Sequence, residues 1–429
     1  MPGPINRQLL KRLWYMPILA AAMALMLIRL LIVARLLPVE EFAVYSLGLL
    51  VSSSFCMLGC MGLQSLLQRD LPVMIVRRRE KAGGVLLMQS VLVAIATAVA
   101  AVSALAISEA PVFGISSRTL SIALIHGLSQ QLFTVATVDS RSRSLPVRYA
   151  NQNFFRAVLL TLIGPIAIGF GNGAVTVLAL EAGLTLLVSA WLIFDKFRAI
   201  SFPFAAAIIV ALRCFRSVRW KSAIILLMVG TLSFVAGNLD RWIAAQWLSA
   251  NSFGIYSFAW TLFIVAQAAQ LIINAAAYPI ISRVYAVQGT AAAFRISAAV
   301  SMSLLVVSAL SGLLAYPILE QLIRSFYPSY ANSIQLLPLF ILASVLRVSD
   351  FWSSYLVVTR KESQLLWLTL STITIILTTW WIYADFNMRN LSISHVAYLA
   401  LLLAIGTYLS VALAAWAASR VSSKEAMNA

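Results

Sequence analysis

The chain offers little to redox, metal or hydrolytic chemistry. It holds three cysteines and two histidines in 429 residues. Cys56, Cys60 and Cys214 have neither zinc spacing nor the even count of a disulfide framework. Cys56 and Cys60 lie one helical turn apart in an apolar run and read as small packing residues. There is no HExxH, no phosphate-binding Gly-Lys loop and no His/Cys cluster. No connection between apolar runs is long enough to build an external catalytic platform. These absences set aside an enzyme, a resident cofactor or metal, and direct ATP drive.

Charge is scarce too. Only 10% of the residues are charged, against about a quarter in soluble domains. The long apolar runs lack the polar alternation of a transmembrane β-barrel. What remains is 62% hydrophobic with a mean hydropathy of +0.93. At about 20 residues per span, twelve spans need about 240 residues, which leaves room for short loops only. The expected fold class is an all-α polytopic membrane protein with twelve transmembrane helices.

Reading apolar windows against breakers places the spans near 13–37, 42–67, 83–107, 119–138, 153–170, 174–194, 222–248, 253–281, 296–319, 334–358, 363–384 and 395–418. The longest connection, near 195–221, has a nine-residue apolar middle, Phe204 to Leu212, flanked by Lys196, Arg198, Arg213, Arg216, Arg219 and Lys221. It is too short to span and predicts an interfacial helix with basic ends. The expected organisation is a six-helix bundle at 1–200, a cytoplasmic linker at 201–221, a second six-helix bundle at 222–420 and a disordered polar tail at 421–429.

In a soluble protein a net charge of +17 would suggest nucleic acid, but its placement here says otherwise. With the N-terminus inside, cytoplasmic segments hold 23 Lys/Arg and outer loops three, Arg118, Arg324 and Arg389. That asymmetry satisfies the positive-inside rule with both termini cytoplasmic. The basic loops are therefore orienting charges beside the bilayer, and no nucleic-acid partner is expected.

The two halves echo each other. Leu37, Phe42, Tyr45 and Ser46 have the spacing of Leu248, Phe253, Tyr256 and Ser257, which aligns Arg29 with Asp240. Six spans per half make the repeat parallel, with a pseudo-two-fold axis along the membrane normal. Within the spans lie Arg29, Arg35, Arg156, Arg241 and Arg347, the acids Glu181, Asp240 and Asp350, and His126; Asp139 sits at a span edge. A charge at a span centre costs about 2.5–3.5 kcal/mol on insertion scales, so it is expected to meet a partner or a cavity. Arg35 is close enough to a helix end to snorkel. Glu181 has no cation within four residues along its helix and must find one on another helix or in water. Arg347 and Asp350, three apart, can pair with each other or serve a site. His126 reads first as a hydrogen-bonded core histidine, second as a proton relay. Arg29, Arg156, Arg241 and Arg347 are the candidate anion-binding residues, since guanidinium suits phosphate. Asp240, Glu181, Asp350 and His126 are the candidates for coupling to an ion or proton.

The stretch Ala34-Arg-Leu-Leu-Pro-Val-Glu-Glu-Phe-Ala-Val-Tyr45, with Gly62-Leu-Gln-Ser-Leu-Leu-Gln-Arg69, resembles the opening of Wzx-type polysaccharide flippases. Asn238-Leu-Asp-Arg241, Phe253-Gly-Ile-Tyr256 and Pro279-Ile-Ile-Ser-Arg283 resemble the start of that family's second half; Ala43 departs from its usual glycine. The resemblance implies the fold of the multidrug/oligosaccharidyl-lipid/polysaccharide (MOP) exporters, two six-helix bundles in a V around a central cavity. It also implies a bacterial inner-membrane flippase for undecaprenyl-pyrophosphate-linked oligosaccharide, working by alternating access and reset by an ion or proton gradient. A polysaccharide polymerase and a chain-length regulator are the partners such a role would bring. Two other readings stand beside it: a cation-coupled drug antiporter of the same fold, and a non-transporting scaffold whose buried charges pair fully.

Overall fold

The computed structural model describes residues 15–108, 113–143, 145–170, 173–359, 361–387 and 392–428, without side chains at 265–269, 271–280, 286, 362, 383–387 and 421–428. Arg7, Lys11, Arg12, Arg360 and Arg389 lie outside the described residues, as do the side chains of Pro279 and Lys424.

The chain is helical almost throughout. The helices are α1 (Tyr15–Leu36), α2 (Val39–Leu58), α3 (Leu63–Val76), α4 (Glu80–Ser108), α5 (Ser117–Ser142), α6 (Pro146–Gly169), α7 (Gly173–Ala199), α8 (Phe204–Arg213), α9 (Trp220–Trp247), α10 (Ala250–Phe326), α11 (Leu337–Val348), α12 (Trp352–Val358), α13 (Glu362–Asn387) and α14 (Ile393–Asn428). Eleven helices among the described residues are long and apolar enough to cross a membrane. α10 is two helices that meet at Gly289, where φ is 82° and the backbone is non-helical. Its arm ahead of Gly289 supplies the twelfth expected span. The short α8 forms where the apolar middle of the linker predicts it.

Three details differ from the sequence reading. The second span does not end before Arg69. Its helix breaks at Gly59–Gly62 and resumes as α3, which carries Arg69, Asp70 and Pro72 on to Val76. The tenth span opens as a 3-10 helix over Pro328–Leu336 and breaks again between α11 and α12. The tail expected to be disordered continues α14 as helix to Asn428.

The helices form two compact units, Met1–Phe234 and Val235–Ala429, with the division inside α9. In the first unit α5 is the hub: it packs on α2, α3, α4, α6 and α7. Small and polar residues permit this. Gly127 sits where a Cβ would meet the Ser52 backbone oxygen at 2.7 Å, so α2 and α5 cross closely. The break in the second span frees carbonyls that lipid cannot satisfy. Gln131 Nε2 donates to the Cys56 carbonyl at 3.1 Å and Thr97 Oγ1 to the Gly59 carbonyl at 2.6 Å. Gly62, at φ +81°, turns the chain back into helix where the Ala223 backbone of α9 leaves no space for a Cβ.

At one end of this unit, Asp139 is buried between Lys196 and Arg143, and Arg143 also meets Glu80. The ionic cluster ties α4, α5 and α7 together. Lys196, read from sequence as a loop cation, is thus a buried partner, which shows why an acid could sit at the edge of span four.

In the second unit α10 packs on α11, α12 and α14, and α13 on α14. Its core is aromatic. Phe258 stacks on Tyr330 at 4.4 Å between centroids, and Phe340 meets Tyr256 and Phe263. At the break before α12, the Phe351 N–H donates to Ser301 Oγ at 3.2 Å and the Ser353 N–H to Asp350 Oδ1 at 3.2 Å.

Candidate functional site

Most of the intramembrane charges gather into one cluster in each unit. In the first unit Glu181 of α7 is the centre and is 0% exposed. Its Oε2 lies 3.3 Å from Arg29 Nη1 of α1 and 3.6 Å from His126 Nε2 of α5. The Tyr45 hydroxyl of α2 donates to both carboxylate oxygens, at 3.1 and 3.2 Å. Four helices therefore converge on one acid. The cation that Glu181 requires comes from another helix, as expected, and it is the residue that aligns with Asp240.

His126 extends the cluster. Its Nδ1 lies 2.7 Å from Ser52 Oγ and its Nε2 3.3 Å from Gln130 Nε2. The Gln130 Oε1 accepts a hydrogen bond from Arg156 Nη2 of α6, whose guanidinium also lies 4.4 Å over the Phe133 ring. Arg156 is partly buried, and its Nε has no hydrogen-bond partner among the described residues. Arg29, His126, Arg156 and Glu181 thus belong to one continuous network. Arg35 is exposed at the end of α1.

In the second unit the acid is on the first helix itself. Asp240 of α9 is 1% exposed, and its Oδ2 accepts the Tyr256 hydroxyl at 2.5 Å. Asp240 Oδ1 has no hydrogen-bond partner among the described residues. The next residue, Arg241, lays its guanidinium 4.0 Å over the Trp260 ring. Arg347 of α11 lies 4.9 Å over Phe263 and donates to the Gly237 carbonyl at 3.3 Å. Arg347 and Asp350 do not pair: among the described residues no carboxylate lies within 4.0 Å of Arg347. Asp350 instead serves the start of α12, where it accepts the Ser353 N–H.

The repeat is therefore chemical as well as spacing-deep. Tyr45 and Tyr256, which match in the internal alignment, each donate to the buried carboxylate of their own unit. Their spacing was visible in sequence; their role was not, because Tyr45 and Glu181 are 136 residues apart. Ser52, Gln130 and the ring partners Phe133, Trp260 and Phe263 carry no sequence signal of their own.

Helical throughout its spans, folded as two units, and charged inside each, the protein is an all-α polytopic membrane protein. Its fold is like that of solved transporters of the MOP superfamily. It resembles an inward-facing multidrug resistance MATE family transporter of that superfamily with a TM-score of 0.65 at 15% identity, over 94% of this chain and 96% of that one. An outward-facing multidrug resistance MATE transporter gives a TM-score of 0.62 at 16% identity, over 96% of each chain. A MOP superfamily transporter from Pyrococcus furiosus Vc1 (DSM3638), described by a binding pocket of reverse polarity that suggests a different function, gives 0.61 at 14% identity, over 94% of this chain and 95% of that one. No protein-family model and no curated protein matches the chain.

Proposed function

We propose that the protein is a secondary transporter that moves an undecaprenyl-pyrophosphate-linked oligosaccharide across the bacterial inner membrane by alternating access. The observation that carries this reading is the set of three guanidinium groups laid over aromatic rings, Arg156 on Phe133, Arg241 on Trp260 and Arg347 on Phe263. Stacking occupies the face of a guanidinium and directs its fork of N–H groups to acceptors in its own plane; here Arg156 donates to Gln130, Arg241 to Asn238 at 3.5 Å and Arg347 to the Gly237 carbonyl. A pyrophosphate presents the paired oxygens that such a fork binds. A cationic drug would find the wrong sign at these positions. The motifs around Pro38 and Phe253 favour the same cargo, and one structural neighbour is described by a pocket of reverse polarity, so the fold is not tied to one pocket polarity.

A cation-coupled drug antiporter is the second reading. It is favoured by the buried Asp240, whose Oδ1 lacks a hydrogen-bond partner among the described residues.

Deletion of the gene, followed by identification of the lipid-linked glycan left on the cytoplasmic face, tests the proposal. In that strain Arg241→Ala and Arg347→Ala are expected to insert normally yet lower export about 10–150-fold each, the loss of one charge-assisted contact worth about 1.5–3 kcal/mol. Normal export by both variants, or no accumulated lipid-linked glycan, would sink it.

A further inference from the structure

A cavity of about 440 Å3 that includes none of the buried charges lies at one end of the second unit. Trp247, Ser249, Ser252, Gln335, Ser392 and Ser394 line it, together with two aliphatic side chains. They come from the end of α9, the start of α10, the 3-10 helix after α10 and the start of α14. In the sequence reading these connections follow spans seven, nine and eleven, opposite the basic loops and so outside by the positive-inside rule. Ser249, Gln335 and Ser392 are exposed, so a ligand can enter from solvent. The volume falls in the range of small-molecule sites, about 300–1,000 Å3.

Its chemistry is that of hydroxyl recognition. No lining side chain is charged, so nothing there compensates a phosphate, a metal ion or a cationic drug. Five of the eight lining residues are serine or glutamine, which does not suit an acyl chain. The hydrogen bonds at the rim leave both donors and acceptors for a guest. Ser249 Oγ accepts the Ser252 N–H at 3.3 Å and donates to Ser252 Oγ at 3.0 Å. The Ser252 hydroxyl proton is left for another acceptor. Across the cavity the Ser392 N–H donates to His395 Nδ1 at 3.1 Å, so that nitrogen presents a lone pair. The Ser392 hydroxyl, 2.7 Å from the same nitrogen, donates there too and keeps its own lone pairs. Gln335 carries a donor and an acceptor in one amide. A guest that donates and accepts at each of several closely set positions matches this lining, and a ring of hydroxyl groups does so.

Trp247 supplies the apolar surface that such a ring also needs. The face of an indole is negative, and the C–H bonds on the face of a pyranose are weakly positive. Trp380 and Trp381 of α13 meet Trp247 edge-on, at 5.8 and 6.5 Å between centroids, and hold its ring in place. An aromatic belt at a membrane surface uses tryptophan as an anchor, but it has no need of a hydroxyl-lined cavity beside the ring. We propose that this cavity is a binding site for an uncharged sugar, with a pyranose laid on Trp247 and its hydroxyl groups bonded to Ser252, Gln335 and Ser392. The site goes beyond the transport reading and does not depend on its cargo.

Saturation-transfer NMR on the full chain in a sugar-free detergent tests the site, with glucose, galactose, mannose and N-acetylglucosamine as probes and glucuronate as the acidic control. At least one neutral sugar is expected to bind, with its C–H protons saturated most strongly. Trp247→Leu should weaken that binding about 2–13-fold, the range for one aromatic contact. Ser252→Ala and Gln335→Ala should each weaken it about 2–13-fold, for one neutral hydrogen bond. Both leave the Ser249 cap of α10 in place and carry the test if Trp247→Leu does not fold. Trp367→Leu removes a tryptophan that is 67% exposed near the other end of α13 and should bind sugar as the parent does. No binding of any neutral sugar, parent-like binding in the three cavity variants, or tighter binding of glucuronate would overturn the proposal. An equal loss in Trp367→Leu would mark a general effect of the aromatic belt and overturn it too. The transport reading fails separately: sugar binding here with no lipid-linked glycan accumulated in the deletion strain keeps the site and rejects the cargo, and accumulation without sugar binding does the reverse.

Discussion

Removing Glu181 separates a structural ion pair from a working one. Glu181→Leu leaves the Arg29 guanidinium, 4% exposed, without its carboxylate. Breaking a buried pair from one side costs about 3–5 kcal/mol. The Tyr45 hydroxyl loses both acceptor oxygens as well, a further penalty of about 1–3 kcal/mol for a buried polar group left alone. Glu181→Gln keeps an acceptor for Tyr45 and should be milder by about that second amount. In the double variant Arg29→Met/Glu181→Leu the stranded cation is gone and only the tyrosine is left unpaired, so stability should return to within about 1–3 kcal/mol of the parent. Unfolding in mixed micelles followed by tryptophan fluorescence gives the stability, and export in the deletion strain gives the function. The transport reading expects stability to recover in the double variant while export stays lost. Recovery of both would favour the scaffold, whose buried charges can be neutralised together. A double variant as unstable as Glu181→Leu alone would refute the reasoning, because Arg29 and Glu181 would then not be each other's compensation.

Two further outcomes follow from local geometry. Gly62→Ala places a Cβ against the Ala223 backbone at a φ of +81° that L-residues avoid, so folded protein recovered from membranes should fall sharply; a normal yield would mean that α3 and α9 do not pack as described. Tyr256→Phe removes the 2.5 Å donor to Asp240 and should lower stability by about 1.5–3 kcal/mol, the range for a bond to a charged group; a variant as stable as the parent would show that Asp240 has another donor.

The spans were legible because lipid imposes a length and a polarity on them, and the linker helix because its apolar middle is too short to cross. The demand that Glu181 find a cation was legible too, from the cost of an isolated charge. Which cation answers it was not, since Arg29 is brought to Glu181 by the packing of α1, α6 and α7. The same limit applies to Lys196 and Asp139, one read as loop and the other as span edge. Arg69 and Asp70 misplaced the end of the second span. Polar residues at a helix end look like a boundary in one dimension, whereas here Asp70 is met by Arg219 of the linker and the helix runs on. The break at Gly59–Gly62 was equally silent, because the groups that satisfy its carbonyls, Gln131 and Thr97, lie on other helices.

Glu41 gives the first unit a fixed internal register. Its carboxylate accepts the Ala174 N–H at 2.8 Å, at the start of α7, where the helix dipole favours an anion. Tyr45, one turn further along α2, grips Glu181 deeper in the same helix. Two grips on one helix act as a gauge for its axial position. A slip of α7 by one turn, about 5.4 Å, would uncap the helix and detach the acid in a single step. α2 and α7 are thereby locked in register, and a movement of one without the other breaks both contacts.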